Sequence, residues 1–134
     1  MSRATTAKAC EIVLIEDLRE HADTLTIILE LEGHSVCSAS NGQDGFTLII
    51  DKKPLVAFID LGLPQLDGYQ IAQRVRQAGM NTYLVALTGY GDDKVKMQCL
   101  DAGFDRHIHK PLRIEDLREV MERALLRAQG LREG

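Results

Sequence analysis

Residues 55–70 read "LVAFIDLGLPQLDGYQ". An apolar run ends at a lone carboxylate, Asp60, and the chain then breaks into a loop carrying Gly62, Pro64 and Gly68. Burial offers an acidic side chain nothing. Asp60 therefore either marks where the chain returns to water or has chemistry to perform. The run itself is nearly continuous in Leu, Val, Ala, Phe and Ile. That is the pattern of a strand covered on both faces, which belongs in the middle of a parallel sheet.

The same pattern recurs on either side. "IVLI" (12–15) and "YLVAL" (83–87) are equally apolar, while "SVCSA" (35–39) and "FDRHIH" (104–109) are more polar and are expected nearer the sheet edges. Between these runs the apolar residues take helical spacing: Leu18, Ala22, Leu25 and Leu29; Ile71, Val75 and Ala78; Val95, Cys99 and Ala102; and finally Leu117, Val120, Met121, Ala124 and Leu125. The helix over about 42–52 is the weakest, with Phe46, Ile49 and Ile50 as its apolar face and Gly45 inside it. A glycine there costs about 1 kcal/mol relative to Ala. Gly33, Gly79 and Gly103 fall where helix C-termini are expected. Strand and helix alternate five times, which predicts an α/β domain with a doubly wound parallel sheet.

The 134 residues suit one domain with a real core, and 45% hydrophobic with 27% charged residues is the balance of a soluble globular chain. The net charge of −4 argues against direct contact with nucleic acid. No run is long enough to span a bilayer, and "MSRATTAKAC" lacks the apolar core of an export signal, so no direct membrane contact and a cytoplasmic location are expected. Cys10, Cys37 and Cys99 are odd in number and form no CxxC, and they are read as reduced core thiols. Residues 1–10 are read as an extension, 11–128 as the domain and 129–134 as a tail. Met1-Ser2 and Glu133-Gly134 suit cloning remnants around an excised domain, so any output is expected from a partner or from further domains.

Right-handed crossovers make the strands parallel and bring their C-terminal ends to one edge, where ligands bind in this architecture. Glu16 and Asp17 follow the first run, Asp60 the third, Thr88 the fourth, and Lys110-Pro111 the fifth. Two like charges ~4 Å apart repel by about 1 to 4 kcal/mol, depending on the local dielectric. Three carboxylates together call for protons or a counter-cation. Lys110 supplies one positive charge, and hard oxygen ligands suit Mg²⁺.

In the combination "IED", "FIDLGLPQLDGYQ", "VALTGYG" and "AGFDRHIHKPL", the chain resembles the CheY-like receiver domain of two-component response regulators, from about Glu11 to Leu126. The resemblance implies a flavodoxin-like (βα)5 fold with strand order 2-1-3-4-5. It makes Asp60 the phosphoacceptor, attacking a phosphohistidine on a histidine kinase or histidine phosphotransfer domain. Glu16, Asp17, Asp60 and the Gly62 carbonyl would hold Mg²⁺. Thr88 and Lys110 would bond the phosphoryl oxygens, and Gly89 would leave room for them. The Lys110–Pro111 bond would be cis. The surface of the fourth helix, fifth strand and fifth helix would then switch. The family usually places Tyr or Phe three residues before this lysine; here His107 stands there, a smaller ring that can carry charge. Together with "TGYG", His107 resembles receivers attached to hybrid sensor histidine kinases, with a free-standing regulator as the alternative.

Other residues have plainer readings. Asp67 is read as an N-cap for the helix near Gly68, and Tyr90 as a loop aromatic at a position that tunes acyl-phosphate lifetime in the family. His107 and His109 lack a third metal ligand nearby. Arg113, Arg118, Arg123 and Arg127 are read as a solvated face interleaved with Glu115, Glu119 and Glu122. Two rivals come from other classes. An aspartyl-nucleophile phosphatase of the haloacid-dehalogenase type wants a second Asp where Gly62 stands. A flavin-binding module wants a phosphate cradle where "EDLREH" is acidic.

Overall fold

Strands and helices alternate along the chain in the computed structural model, which describes residues 10–62, 68–89 and 93–130. In order they are β1 (Ile12–Ile15), α1 (Arg19–Leu31), β2 (Val36–Ala39), α2 (Gly42–Lys52), β3 (Val56–Asp60), α3 (Gly68–Gln77), β4 (Tyr83–Thr88), α4 (Asp93–Ala102), β5 (Arg106–His109) and α5 (Ile114–Ala128). All strand pairs are parallel and the sheet order is β2-β1-β3-β4-β5. This is the doubly wound flavodoxin-like fold, with the two more polar strands at the edges. Among the described residues, no helix is long and apolar enough to cross a membrane.

Alternation along each strand builds two cores. Ile12, Leu14, Val56, Phe58, Val85, Leu87 and Ile108 meet Leu29 of α1 and Leu117, Val120 and Ala124 of α5. Val13, Ile15, Ala57, Ile59, Leu84 and Ala86 meet Ile49 of α2, Ile71 and Val75 of α3, and Cys99 of α4. Central strands must be apolar at both parities to serve both layers, which is why their runs are continuous. Asn41 caps α2 by accepting the Asp44 N–H at 2.8 Å. The helix ends anticipated at Gly33, Gly79 and Gly103 carry positive φ of 95°, 78° and 112°.

Some expected core positions lie elsewhere. Leu18 precedes α1 as its N-cap and is 53% exposed. Leu125 and Ala78 face solvent. Arg127 is not part of a solvated face: its guanidinium lies 4.9 Å from the Tyr83 ring centroid and 2.6 Å from Asp105. Asp105 also accepts from Arg76 at 2.7 Å and from the Leu84 N–H at 2.8 Å. Arg76 in turn donates to the carbonyls of Gly103, Met80 and Thr82. Arg113 and Arg118 are exposed as expected, but Arg118 pairs at 3.0 Å with Glu32, just past the end of α1, rather than with a glutamate of its own helix.

The three cysteines are not all reduced core thiols. Cys10 and Cys37 are joined in a disulfide, with Cα atoms 5.8 Å apart, and Cys99 alone is a free, buried thiol. The partners are separated by 27 residues along the chain, yet Cys10, just before β1, is brought to Cys37 on β2 because β1 pairs with β2. Parity of cysteine number carries no information about that adjacency.

Gly45 has a packing reason. A Cβ built there would overlap the Ile15 side chain, at 3.1 Å from Cγ2 and closer still to Cγ1 and Cδ1. The glycine lets α2 approach β1. Gly45→Ala gains up to about 1 kcal/mol of helix propensity but overpacks the core at a cost of about 1–3 kcal/mol. A net loss is expected, read as a lower urea midpoint at unchanged m-value.

Candidate functional site

The register between β1 and β3 assembles the site. Ile15 pairs with Ile59, so the next residues, Glu16 and Asp60, stand side by side on the same face of the sheet. Asp60 pairs with Leu87, and Leu87 with Ile108. Lys110, two residues beyond Ile108, returns to that face at the same edge. Glu16 is 1% exposed and Asp60 7%. One carboxylate oxygen from each of Glu16, Asp17 and Asp60 lies within 4.8 Å of the others, and no other such group of His, Cys, Asp or Glu occurs among the described residues.

The charges are held by few partners. Lys110 Nζ lies 3.1 Å from Glu16 Oε1 and 3.5 Å from Asp60 Oδ2. The Leu18 N–H donates to Glu16 Oε2 at 3.1 Å and the Gly62 N–H to Asp60 Oδ1 at 2.9 Å. Burial, above all, pushes the Glu16 carboxyl above the ordinary range; the Leu18 N–H opposes this, Asp60 adds to it and Lys110 works against it. The stability Glu16 contributes is fully present below the ordinary carboxylate pKa and is lost as pH rises through the raised value. For Lys110, burial pulls the pKa down, but the hydrogen bond to Glu16 and the charges of Asp60 and Glu16 outweigh it and leave it raised. Its contribution is present below the ordinary lysine pKa and is lost only in alkali.

The residues expected at the strand ends divide into two groups. Glu16, Asp17, Asp60 and Lys110 converge directly. Thr88 ends β4, buried, with its carbonyl accepting the Lys110 N–H at 2.8 Å, so its backbone is tied to the lysine's. By alternation Thr88 shares the sheet face of Ala86, which is the face of His107, Ala86's partner on β5. A Cβ on Gly89 would meet nothing within 4 Å. Gly62 reaches Asp60 through its N–H. The Lys110–Pro111 bond is cis. Asp67 and Tyr90 lie outside the described residues. One residue escaped the sequence reading: His21, in the first turn of α1, whose Nδ1 lies 3.8 Å from Glu16 Oε1. Its position four residues after Asp17, where a helix starts back across the sheet, was the available signal.

An all-oxygen trio, with Glu16 and Asp60 buried and Asp17 half-buried, carries excess negative charge beside one ammonium group, and a divalent cation fits it: the ligands are hard and outnumber the positive charge at hand.

Comparison with known proteins agrees with this geometry. The family described as "Response regulator receiver domain" matches residues 12–122. Response regulator MprA of Mycobacterium sp. (strain KMS) is 32% identical over 123 residues, covering 92% of this chain and 53% of that protein. The DNA-binding dual master transcriptional regulator RpaA of Synechocystis sp. is 33% identical over 118 residues, covering 87% of this chain and 48% of that protein. The chain thus spans about half the length of the curated relatives it matches. Among solved structures, a response regulator receiver domain protein from Clostridium thermocellum superposes with a TM-score of 0.83 at 23% identity, covering 90% of this chain and 97% of the other. A CheY-like receiver domain protein from Methanospirillum hungatei gives 0.81 at 25% identity, covering 92% and 98%. With a family match across nearly all of the sheet and its helices, and with the acidic trio at the expected edge, the chain belongs to the response regulator receiver domain family.

Proposed function

We propose that Asp60 is the phosphoacceptor of a two-component phosphorelay, taking a phosphoryl group from a phosphohistidine with Mg²⁺ bound. The observation that carries this reading is the convergence of Glu16, Asp17 and Asp60 within 4.8 Å, with Lys110 Nζ 3.5 Å from Asp60. A carboxylate oxygen of Asp60 forms the new bond to phosphorus as the P–N bond breaks, and the electron pair returns to the imidazole nitrogen, which takes up a proton. Glu16, Asp17 and Asp60, with the Gly62 carbonyl, would hold the ion, which when bound neutralises charge on the incoming phosphoryl group. Lys110 offers its ammonium to the phosphoryl oxygens and Thr88 its hydroxyl. The Gly62 N–H orients the Asp60 carboxylate.

The new charge would bias the loops after β3 and β4, and with them the α4–β5–α5 surface, by shifting a population already present. His107, on the face shared with Thr88, would move with that loop in place of the family's larger ring. For the longer protein we favour a cytoplasmic hybrid sensor histidine kinase, on the strength of "TGYG" and His107. Finding a transmitter module encoded ahead of residue 1 would decide for the hybrid kinase, and its absence for a free-standing regulator.

The wild-type protein is expected to take up one phosphoryl group per chain from a small-molecule phosphoramidate when Mg²⁺ is present, read by intact mass. Asp60→Asn is expected to take up none. Sustained turnover of a phosphate monoester by the wild type would instead favour the phosphatase reading.

The buried carboxyl yields a second outcome. In metal-free protein Glu16→Gln is expected to be more stable than the parent at pH 8, with the difference closing below about pH 4.3, where an ordinary glutamate is itself protonated. Denaturant midpoints across that range measure it. Added Mg²⁺ should stabilise the parent more than the variant; a less stable variant at pH 8 would contradict the charge assignment.

A further inference from the structure

We propose that Cys10 and Cys37 form a redox-reversible clamp on the β1–α1–β2 unit, at the end of the sheet opposite the acidic site. The pair sits where such a device can work. Their Cα atoms are 5.8 Å apart, inside the span a disulfide bridges without backbone movement. Cys37 lies on β2, an edge strand, and is partly exposed, so a small thiol or disulfide can reach it. Cys10 is only 5% exposed and stands behind it as the resolving partner. The bond closes a loop over a separation of 27 residues that contains all of β1 and α1, and therefore Glu16, Asp17 and His21. Cys10 lies six residues before Glu16, roughly 20 Å along an extended chain, so the clamp does not touch the acidic side chains.

The chemistry closes with a low-molecular-weight disulfide as oxidant. The Cys37 thiolate attacks one of its sulfurs and releases a small thiolate. The Cys10 thiolate then attacks Cys37 Sγ and expels the second. Two protein thiols become one disulfide, the small disulfide becomes two thiols, and the two protons pass from protein to small thiols. An excess of small thiol runs the exchange backwards. In its closed form the clamp limits the freedom of the unfolded chain and ties the edge strand to its neighbour; in its open form β2 and α1 exchange their amide hydrogens faster. The sequence of events is independent of phosphoryl transfer, so its test stands apart from that of Asp60.

The experiment uses the whole chain. Alkylation in denaturant, read by intact mass, is expected to label one cysteine in protein equilibrated with oxidised glutathione and three after reduction. The oxidised form is expected to melt about 10 °C above the reduced form, with the difference absent in Cys37→Ser. Hydrogen exchange should localise the added protection to β1, α1 and β2. Cycling wild-type protein between oxidised and reduced glutathione removes any dependence on the variant's folding. Three labelled cysteines under oxidising conditions, a bond between two chains on a non-reducing gel, or identical melting of the two forms would each overturn the proposal.

Discussion

Parallel pairing of β1 with β3 puts Ile15 beside Ile59, and everything at the acidic edge follows from it. Glu16 and Asp60 are adjacent because the ladder makes them so, not because carboxylates attract. A slip of one residue would turn every side chain of β1 to the other layer. Ile12 and Leu14 would leave the α1/α5 core, and Val13 and Ile15 the α2/α3/α4 core. The apolar packing of both layers thus enforces a register that crowds like charges.

That crowding is relieved by a residue 94 positions away from Glu16. Lys110 follows β5, the last strand in chain order, and its ammonium reaches both buried carboxylates. One ammonium does not balance three carboxyl groups; the Glu16 carboxyl is raised chiefly by its burial, with Asp60 adding to it. A site short of positive charge, with two of its three carboxylates buried and lined by hard oxygens, is poised to accept a cation. The charge on Glu16, the most deeply buried of the three carboxylates, opposes the stability of the metal-free fold.

The opposite end of the sheet is organised to hold. Asp105 gathers Arg76 from α3, Arg127 from α5 and the Leu84 N–H from β4. Arg127 also rests on Tyr83. The Cys10–Cys37 bond joins β1 to β2 at the same end. Strand N-termini are fastened across the sheet while strand C-termini carry the unbalanced charge.

The sequence by itself determined the element order, the doubly wound class, the central and edge strands, and the residues gathered at one edge. Each of these is encoded locally: a continuous apolar run, a helical stripe, a polar residue at the end of a run. It also carried the family, through motifs whose intervals are set by element lengths. Tertiary structure alone decided what depends on neighbours distant in the chain. It bonded Cys10 to Cys37, moved Arg127 from solvent onto Tyr83 and Asp105, brought His21 toward Glu16, and gave Gly45 its reason in the Ile15 side chain. Leu18 and Leu125 matched a helical stripe yet remained exposed, because periodicity says which residues share a face and not how far the covering layer extends. The physical reason is common to all of these: hydrophobic pattern is a property of a segment, whereas pairing and close approach are properties of two segments, and only the folded sheet specifies which two.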